Sequence, residues 1–178
     1  MDNQYRTVYE NSSPNYIEEQ KIISINKFIV LCLVTFGLYP IWWIYKAWRF
    51  LQEKEQSDIL PVLRTVFSIF FLYKLSIKIL SFAKDKGYEE SYSPVILFIG
   101  FVTGNVLSRL PDPYWLISLL SFVFLIPAFK ALNYAKQNST DFVVTEKISY
   151  SRRQILLIVL GVILWPLIIL GMIADGML

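Results

Sequence analysis

Few residues in this sequence have the types and spacing that chemistry requires. The 178 residues contain no histidine and a single cysteine, Cys32. Metal sites built from thiolates and imidazoles need those ligands in clusters, and Cys–His catalysis needs both groups, so the composition excludes both kinds of site. An intramolecular disulfide is excluded because it needs a second cysteine.

The carboxylates are paired only where loops are predicted. Glu53 with Glu55, and Glu89 with Glu90, are explained by solvated loop charge. The sequence contains neither G-x-x-x-x-G-K-[ST] nor G-x-G-x-x-G, and no serine lies in a nucleophile elbow. We therefore expect no enzyme activity, no catalytic or metal-binding residue and no cofactor.

The composition is typical of a membrane protein. Hydrophobic residues make up 55 % of the chain and charged residues 17 %, whereas soluble domains have about 25 % charged residues. A soluble protein of this size has too little interior for so much apolar surface. The net charge of +3 fits basic residues that flank membrane spans, so no nucleic-acid partner is expected.

Apolar runs of span length predict the fold. We expect an all-α, polytopic membrane helical bundle with four membrane-spanning helices, because a span needs about 17–25 residues. Residues 1–21 are predicted to form a polar N-terminal tail without the features of a secretory signal, and residues 22–178 a single helical membrane domain. The four predicted spans are residues 22–45, 94–110, 113–132 and 154–174.

A fifth apolar block, residues 61–84, is basic and only partly amphipathic. Arg64, Lys74 and Lys78 fall within one arc of its helical wheel, and we expect them to contact lipid headgroups. The block is either an interfacial helix or a fifth span with Lys74 facing protein. An interfacial helix would require the first segment to export the N-terminal tail or to turn back at Gly37–Pro40.

The basic residues also predict sidedness. Loop 133–153 and its flanks should be cytoplasmic and the C-terminus outside, because Lys and Arg concentrate in cytoplasmic loops. The basic residues concerned are Lys130, Lys136, Lys147, Arg152 and Arg153.

The stretch "LVTFGLYPIWWIYKAWRFL", residues 33–51, crowds aromatic and basic residues at one end of the first apolar run. Such a mixture is typical of a helix where it meets headgroups. Gly37 and Pro40 predict a helix kink there; the alternative is a broken segment whose free carbonyl groups line a site. The predicted interfacial belt consists of Tyr39, Trp42, Trp43, Tyr45 and Trp48.

Small residues in "GFVTG" predict close helix packing. Gly100 and Gly104 would let a second helix approach closely, Asn105 is expected to hydrogen-bond across the contact, and Ser108 follows one turn further on. The partner helix belongs either to the same chain or to a second copy, so the face is a helix-packing or an oligomer face.

The quoted stretch also carries a resemblance. Thr35, Gly37, Tyr39, Trp43 and Tyr45 form a TxGxY…W…Y run after an apolar start. With "LPDPYWLISLLSFVFLIP", "KALNYA" and "GVILWPLIILG", it resembles uncharacterised bacterial membrane proteins similar to the domain of unknown function DUF4234. The resemblance implies a bacterial plasma (inner) membrane location and no established activity. Pro40 and Lys74 depart from that pattern.

Two functions fit these observations. The first is a non-enzymatic membrane scaffold or subunit of a membrane complex. The alternative is a small self-associating channel or transporter with anion preference. The expected partners are membrane lipids, including anionic headgroups, and either a second copy or another membrane protein.

Overall fold

The computed structural model describes residues 20–146 and 149–174, apart from the side chain of Arg153. Residues 1–19 of the predicted tail therefore lie outside the described residues. The helices are α1 (Ile25–Val34), α2 (Leu38–Glu55), α3 (Pro61–Val66), α4 (Ser68–Asp85), α5 (Pro94–Val106), α6 (Ile126–Gln137) and α7 (Arg152–Ala174). Two 3-10 segments, Leu107–Arg109 and Tyr114–Leu125, and two strands, β1 (Gln20–Ile22) and β2 (Val144–Glu146), accompany them.

The all-α prediction is confirmed. Among the described residues, two helices are long and apolar enough to cross a membrane, Tyr114–Gln137 and Gln154–Ala174, so the four predicted spans are not supported. The segment Pro94–Arg109 is a shorter apolar helix. The remaining predicted span, residues 22–45, is not one helix.

The first apolar segment is broken, which corrects the predicted kink at Gly37 and Pro40. α1 ends at Val34, and α2 begins at Leu38 after a turn in which Phe36 has φ 51° and Gly37 has φ 81°. Both values lie in the left-handed region, which glycine adopts without strain. Pro40 lies in the first turn of α2, where its missing N–H has no helical partner to lose.

The turn is held by a threonine. The Thr35 hydroxyl donates to the Leu31 carbonyl (2.7 Å) and accepts from the Tyr39 N–H (2.9 Å). It therefore closes the end of α1 and supplies an acceptor for the start of α2. The chain can therefore break here, within an apolar stretch, because Thr35 supplies hydrogen bonds at both helix ends.

α2 folds back along α1. The Phe28 ring lies 6.0 Å from the Tyr39 ring and 5.9 Å from the Trp43 ring. In one continuous helix Phe28 and Trp43 would be about 22 Å apart, at about 1.5 Å per residue. The first segment is therefore a helical hairpin.

The predicted block 61–84 is also divided. α3 ends at Val66, and Phe67 (φ −93°, ψ 37°) separates it from α4. α4 packs against α5 and α6, where the Tyr92 hydroxyl donates to the Ser76 carbonyl (2.7 Å). The block therefore consists of a short outer helix and a long helix with one buried face.

α5 and the segment Tyr114–Gln137 form an antiparallel hairpin. Pro94 occupies the first turn of α5, and the Ser93 side chain accepts from the Ile96 N–H at 3.4 Å. The "LPDP" turn connects the two arms, and the second arm begins with a 3-10 helix of 12 residues. The core lies between this hairpin, the α1–α2 hairpin and α4, with Phe28 stacked on Phe129 at 4.3 Å.

Two short contacts complete the fold. β1 pairs with β2 in parallel, Gln20 opposite Val144, so two residues assigned to the tail, Gln20 and Lys21, belong to a strand. α7 packs against α1, where a Cβ on Gly161 would overlap the Val34 side chain. The Trp165 indole N–H donates to the Leu33 carbonyl at 3.3 Å.

Candidate functional site

The predicted small-residue face is occupied within the chain. A Cβ on Gly100 would overlap the Phe124 ring, and one on Gly104 would lie 2.7 Å from the Ser121 Cβ. Asn105 donates to the Phe101 carbonyl of its own helix (2.8 Å), and Ser108 is exposed in the following 3-10 turn. The two glycines therefore pack α5 against the other arm of its hairpin, while Asn105 and Ser108 make no contribution across that contact.

The predicted aromatic belt is divided between core and surface. Trp43 and Trp48 are buried, which corrects their assignment to the interfacial belt. Trp43 packs on Phe28, because α2 folds back along α1. Trp42 is exposed, lies beside the partly exposed Tyr45 and has the Lys46 ammonium 5.6 Å from its ring. Tyr39, the other partly exposed ring, faces Phe28.

The three predicted headgroup contacts have different environments. Lys78 donates to the carboxylate of Glu55, the last residue of α2, at 2.6 Å. Lys74 is exposed, with no ion pair in the described part of the chain. Arg64 stacks its guanidinium over the Trp48 ring (4.6 Å) and near the Phe71 ring (5.4 Å).

At one end of the bundle, polar side chains join neighbouring elements through specific contacts. Lys136 is buried, donates to the Gln20 side-chain oxygen (3.0 Å) and lies 4.2 Å from the Phe50 ring. Lys86 pairs with Asp141 at 3.4 Å. These contacts tie β1, α2, α4 and α6 together, and the sequence gives no signal for the Gln20–Lys136 contact because the residues are far apart in the chain.

Two charged environments at this end shift pKa values. The hydrogen bond from the Ser139 hydroxyl, with the Lys86 charge, lowers the pKa of Asp141. Burial, together with the Glu90 carboxylate that accepts its hydroxyl (2.9 Å), raises the pKa of Tyr88 to about 12. Tyr88 is therefore a neutral hydrogen-bond donor at physiological pH.

A shallow cavity of about 280 Å³ opens beside Tyr88, at the start of α1. Glu90, Glu146 and Lys130 supply its charges, and Asn133 donates to the Ile23 carbonyl at its edge (3.0 Å). The lining also includes Ser24, whose hydroxyl has no hydrogen bond among the described residues, and those residues hold no cluster of three metal-ligating side chains.

The corner between α2 and α3 has unused hydrogen-bonding capacity. Trp48 is fully buried, and its indole N–H has no acceptor; the Ser57 hydroxyl, in the turn that follows α2, is likewise unpaired. Arg64 covers the Trp48 ring without a hydrogen bond or an ion pair among the described residues. The sequence shows Arg64 and Trp48 separately but not their contact, because Trp48 reads there as one member of an aromatic belt.

Comparisons with models of protein families, with curated proteins and with solved structures found no match to this chain.

Proposed function

We propose that this chain is a non-enzymatic integral membrane protein that acts as a scaffold or as a subunit of a membrane complex. The observation that carries the proposal is the exposure of α7. Only 11 % of the most apolar 18-residue stretch of this helix is buried. The rest of that surface needs lipid or another protein.

The energetics of α7 support membrane insertion. Its apolar segment Gln154–Ala174 has 21 residues and a length of about 31 Å at about 1.5 Å per residue, close to the thickness of a bilayer core, about 30 Å. Full burial of a leucine or isoleucine is favourable by about 1.5–3 kcal/mol. Exposed side chains such as Leu156, Leu160 and Leu170 would therefore make this helix strongly unfavourable in water.

The lengths of the other segments favour three crossings instead of four. α1 has 10 residues and is about 15 Å long, half of the bilayer core. We propose that the α1–α2 hairpin enters and leaves on the same side, while Pro94–Arg109, Tyr114–Gln137 and α7 cross. Loop 133–153 is then cytoplasmic and the C-terminus outside, in the bacterial plasma membrane that the DUF4234 resemblance implies.

The scaffold function has more support than the channel. Self-association in the channel depends on the Gly100 and Gly104 face, and both glycines already pack against Phe124 and Ser121 of the same chain. A scaffold does not need that face, because the exposed surface of α7 is available to a protein partner.

Photo-crosslinking tests this proposal. A photo-reactive amino acid at Leu160, on the exposed surface of α7, should give one discrete adduct with a second copy or with one other membrane polypeptide. The matched control places the same group at Leu31, which is fully buried, and should give no intermolecular adduct. Lipid adducts alone at Leu160 would contradict the scaffold, and release of the chain from membranes by alkaline carbonate would contradict membrane insertion itself.

A further inference from the structure

Two helical hairpins enter the bundle from the same end. In the first, α1–α2, the ring of Phe36 at the turn stacks on the ring of Trp165 in α7, with the centroids 5.0 Å apart. Trp165 lies about 16 Å along α7 from Gln154, at about 1.5 Å per residue, and Gln154 is at the proposed cytoplasmic end of that helix. The turn is therefore about half of the bilayer core, about 30 Å thick, from that end.

The second hairpin, α3–α4, reaches a similar depth. The Tyr92 hydroxyl, just before α5, donates to the Ser76 carbonyl (2.7 Å), and the Tyr73 ring lies 6.5 Å from the Phe98 ring, so α4 and α5 are antiparallel. α4 begins at Ser68, which therefore lies about 14 Å beyond the start of α5, at about 1.5 Å per residue. Because α3 returns along α2, this hairpin also turns near the middle of the bilayer.

Both turns carry large, exposed hydrophobic side chains. They are Leu38, Ile41 and Trp42 in the first hairpin, and Val66, Phe67 and Phe70 in the second. The second surface continues onto α5, a proposed crossing helix, where Tyr73 meets Phe98. These side chains are unfavourable in water, whereas acyl chains surround them at this depth.

The cations near the second turn do not prevent its insertion. The Arg64 guanidinium lies over the Trp48 ring (4.6 Å), on the side of α3 that faces α2. Lys74 is exposed one turn before Lys78, and a lysine side chain can extend to the headgroups while its stem lies in the apolar region. Neither charge therefore has to remain among acyl chains, where it would be costly.

The hairpins make the molecule wider in one half of the membrane than in the other. Among the described residues, the cytoplasmic half holds both arms of each hairpin beside the crossing segments, whereas the outer half holds the crossing segments alone. The cytoplasmic leaflet must therefore spread around a larger cross-section. A membrane that is convex on its cytoplasmic face already has that leaflet spread, so apolar segments enter it more readily.

We propose that the α1–α2 and α3–α4 hairpins act as a wedge in the cytoplasmic leaflet, so that the chain concentrates in membrane that is convex on its cytoplasmic face. The ligand of this surface is the acyl region of that leaflet and not a particular headgroup. This preference rests on the proposed membrane location of the chain. It adds a dependence on membrane shape that a scaffold does not need.

Vesicle size tests the wedge. A parent protein with Cys32→Ser and Gln56→Cys is reconstituted into phosphatidylcholine vesicles with diameters of about 30 nm and about 200 nm, which differ strongly in curvature. An impermeant maleimide measures the ratio of chains with the hairpin side outward to chains with it inward. This ratio should be at least about twofold higher in the small vesicles, because their outer leaflet is strongly convex. Asp112→Cys in place of Gln56→Cys should show the reciprocal change.

A substitution at the second turn separates the wedge from the rest of the fold. Phe70 is 72 % exposed, so Phe70→Asp should retain the core while the turn can no longer lie among acyl chains. It should reduce the dependence on vesicle size by at least half. Phe70→Leu, the matched control, keeps an apolar side chain and should behave as the parent does. If Phe70→Asp does not fold, the size dependence of the parent protein decides alone.

Each outcome decides the proposal. An equal ratio in both vesicle sizes, or a higher one in the large vesicles, would overturn the wedge, and so would an unchanged size dependence of folded Phe70→Asp. A parent protein that is dimeric in detergent and that Phe70→Asp makes monomeric would assign the second turn to a second copy instead of lipid. If the wedge fails, a chain that resists alkaline carbonate extraction retains the proposed membrane function, whereas a chain that carbonate releases loses both.

Discussion

Gly104 is the position where the hairpin of α5 tolerates least change. A Cβ at Gly104 would lie 2.7 Å from the Cβ and 3.1 Å from the Cα of Ser121. The Cα belongs to the backbone of the opposing arm, which cannot move without displacing that arm. The three atoms nearest to a Cβ at Gly100 all belong to the ring of Phe124, an exposed side chain that can rotate away.

These contacts set the magnitudes. Overpacking a well-packed contact costs about 1–3 kcal/mol, and Gly→Ala within a helix contributes about 1 kcal/mol of favourable propensity. Gly104→Ala should therefore destabilise the protein by about 0–2 kcal/mol, the difference between those two effects. Gly100→Ala should be about neutral. Gly171→Ala, where the added Cβ meets open space, should show only the propensity gain.

Unfolding in mixed micelles of dodecyl sulfate and a neutral detergent, monitored by circular dichroism, ranks the three variants by stability. We expect Gly171→Ala to be the most stable and Gly104→Ala the least. The oligomer size should be the same for all three, because the packing is within one chain. Equal stability of Gly104→Ala and Gly171→Ala would refute the close contact between the two arms.

Three further predictions concern other parts of the fold. Cys32 is 0 % exposed, so a membrane-impermeant maleimide should label it only after unfolding; fast labelling in intact membranes would mean that water reaches α1. Gly161→Leu should separate α7 from α1, and protease should then cut the loop before α7 faster than in wild type; an unchanged rate would contradict that contact. The pKa of Asp141 is lowered by Ser139 and Lys86, so its contribution is present above its unfolded pKa of about 4 and is lost as pH falls through the lower native value. Wild type should thus lose more stability than Asp141→Asn between about pH 5 and pH 3, and equal losses would contradict the lowered pKa of Asp141.

The features that depend on neighbouring residues could be predicted from the sequence. Ser93 before Pro94 indicates the start of α5, since a side-chain oxygen and a proline are favoured at those positions. Apolar runs of sufficient length indicate Tyr114–Gln137 and α7. The spacing of Gly100 and Gly104 indicates close packing, although not which helix would supply the partner.

The features that depend on distant contacts could not be predicted. The break after α1 requires Thr35 to accept from Tyr39 and Phe36 to take a left-handed conformation, which no apolar pattern shows. The sequence predicts Trp48 in a membrane belt, since its burial under Arg64 depends on how α3 returns to α2. The three residues of β1 are too short to be distinguished from a polar tail.

The central claim is that residues 25–55 enter and leave the membrane on one side, and cysteine labelling tests it most directly. In a Cys32→Ser background, single cysteines replace Lys21, Gln56, Glu89 and Asp112, all exposed. We predict that an impermeant maleimide labels Asp112→Cys in intact cells, whereas Lys21→Cys, Gln56→Cys and Glu89→Cys react only after permeabilisation. Labelling of either Lys21→Cys or Gln56→Cys in intact cells would contradict the claim, since the first segment would then cross the membrane.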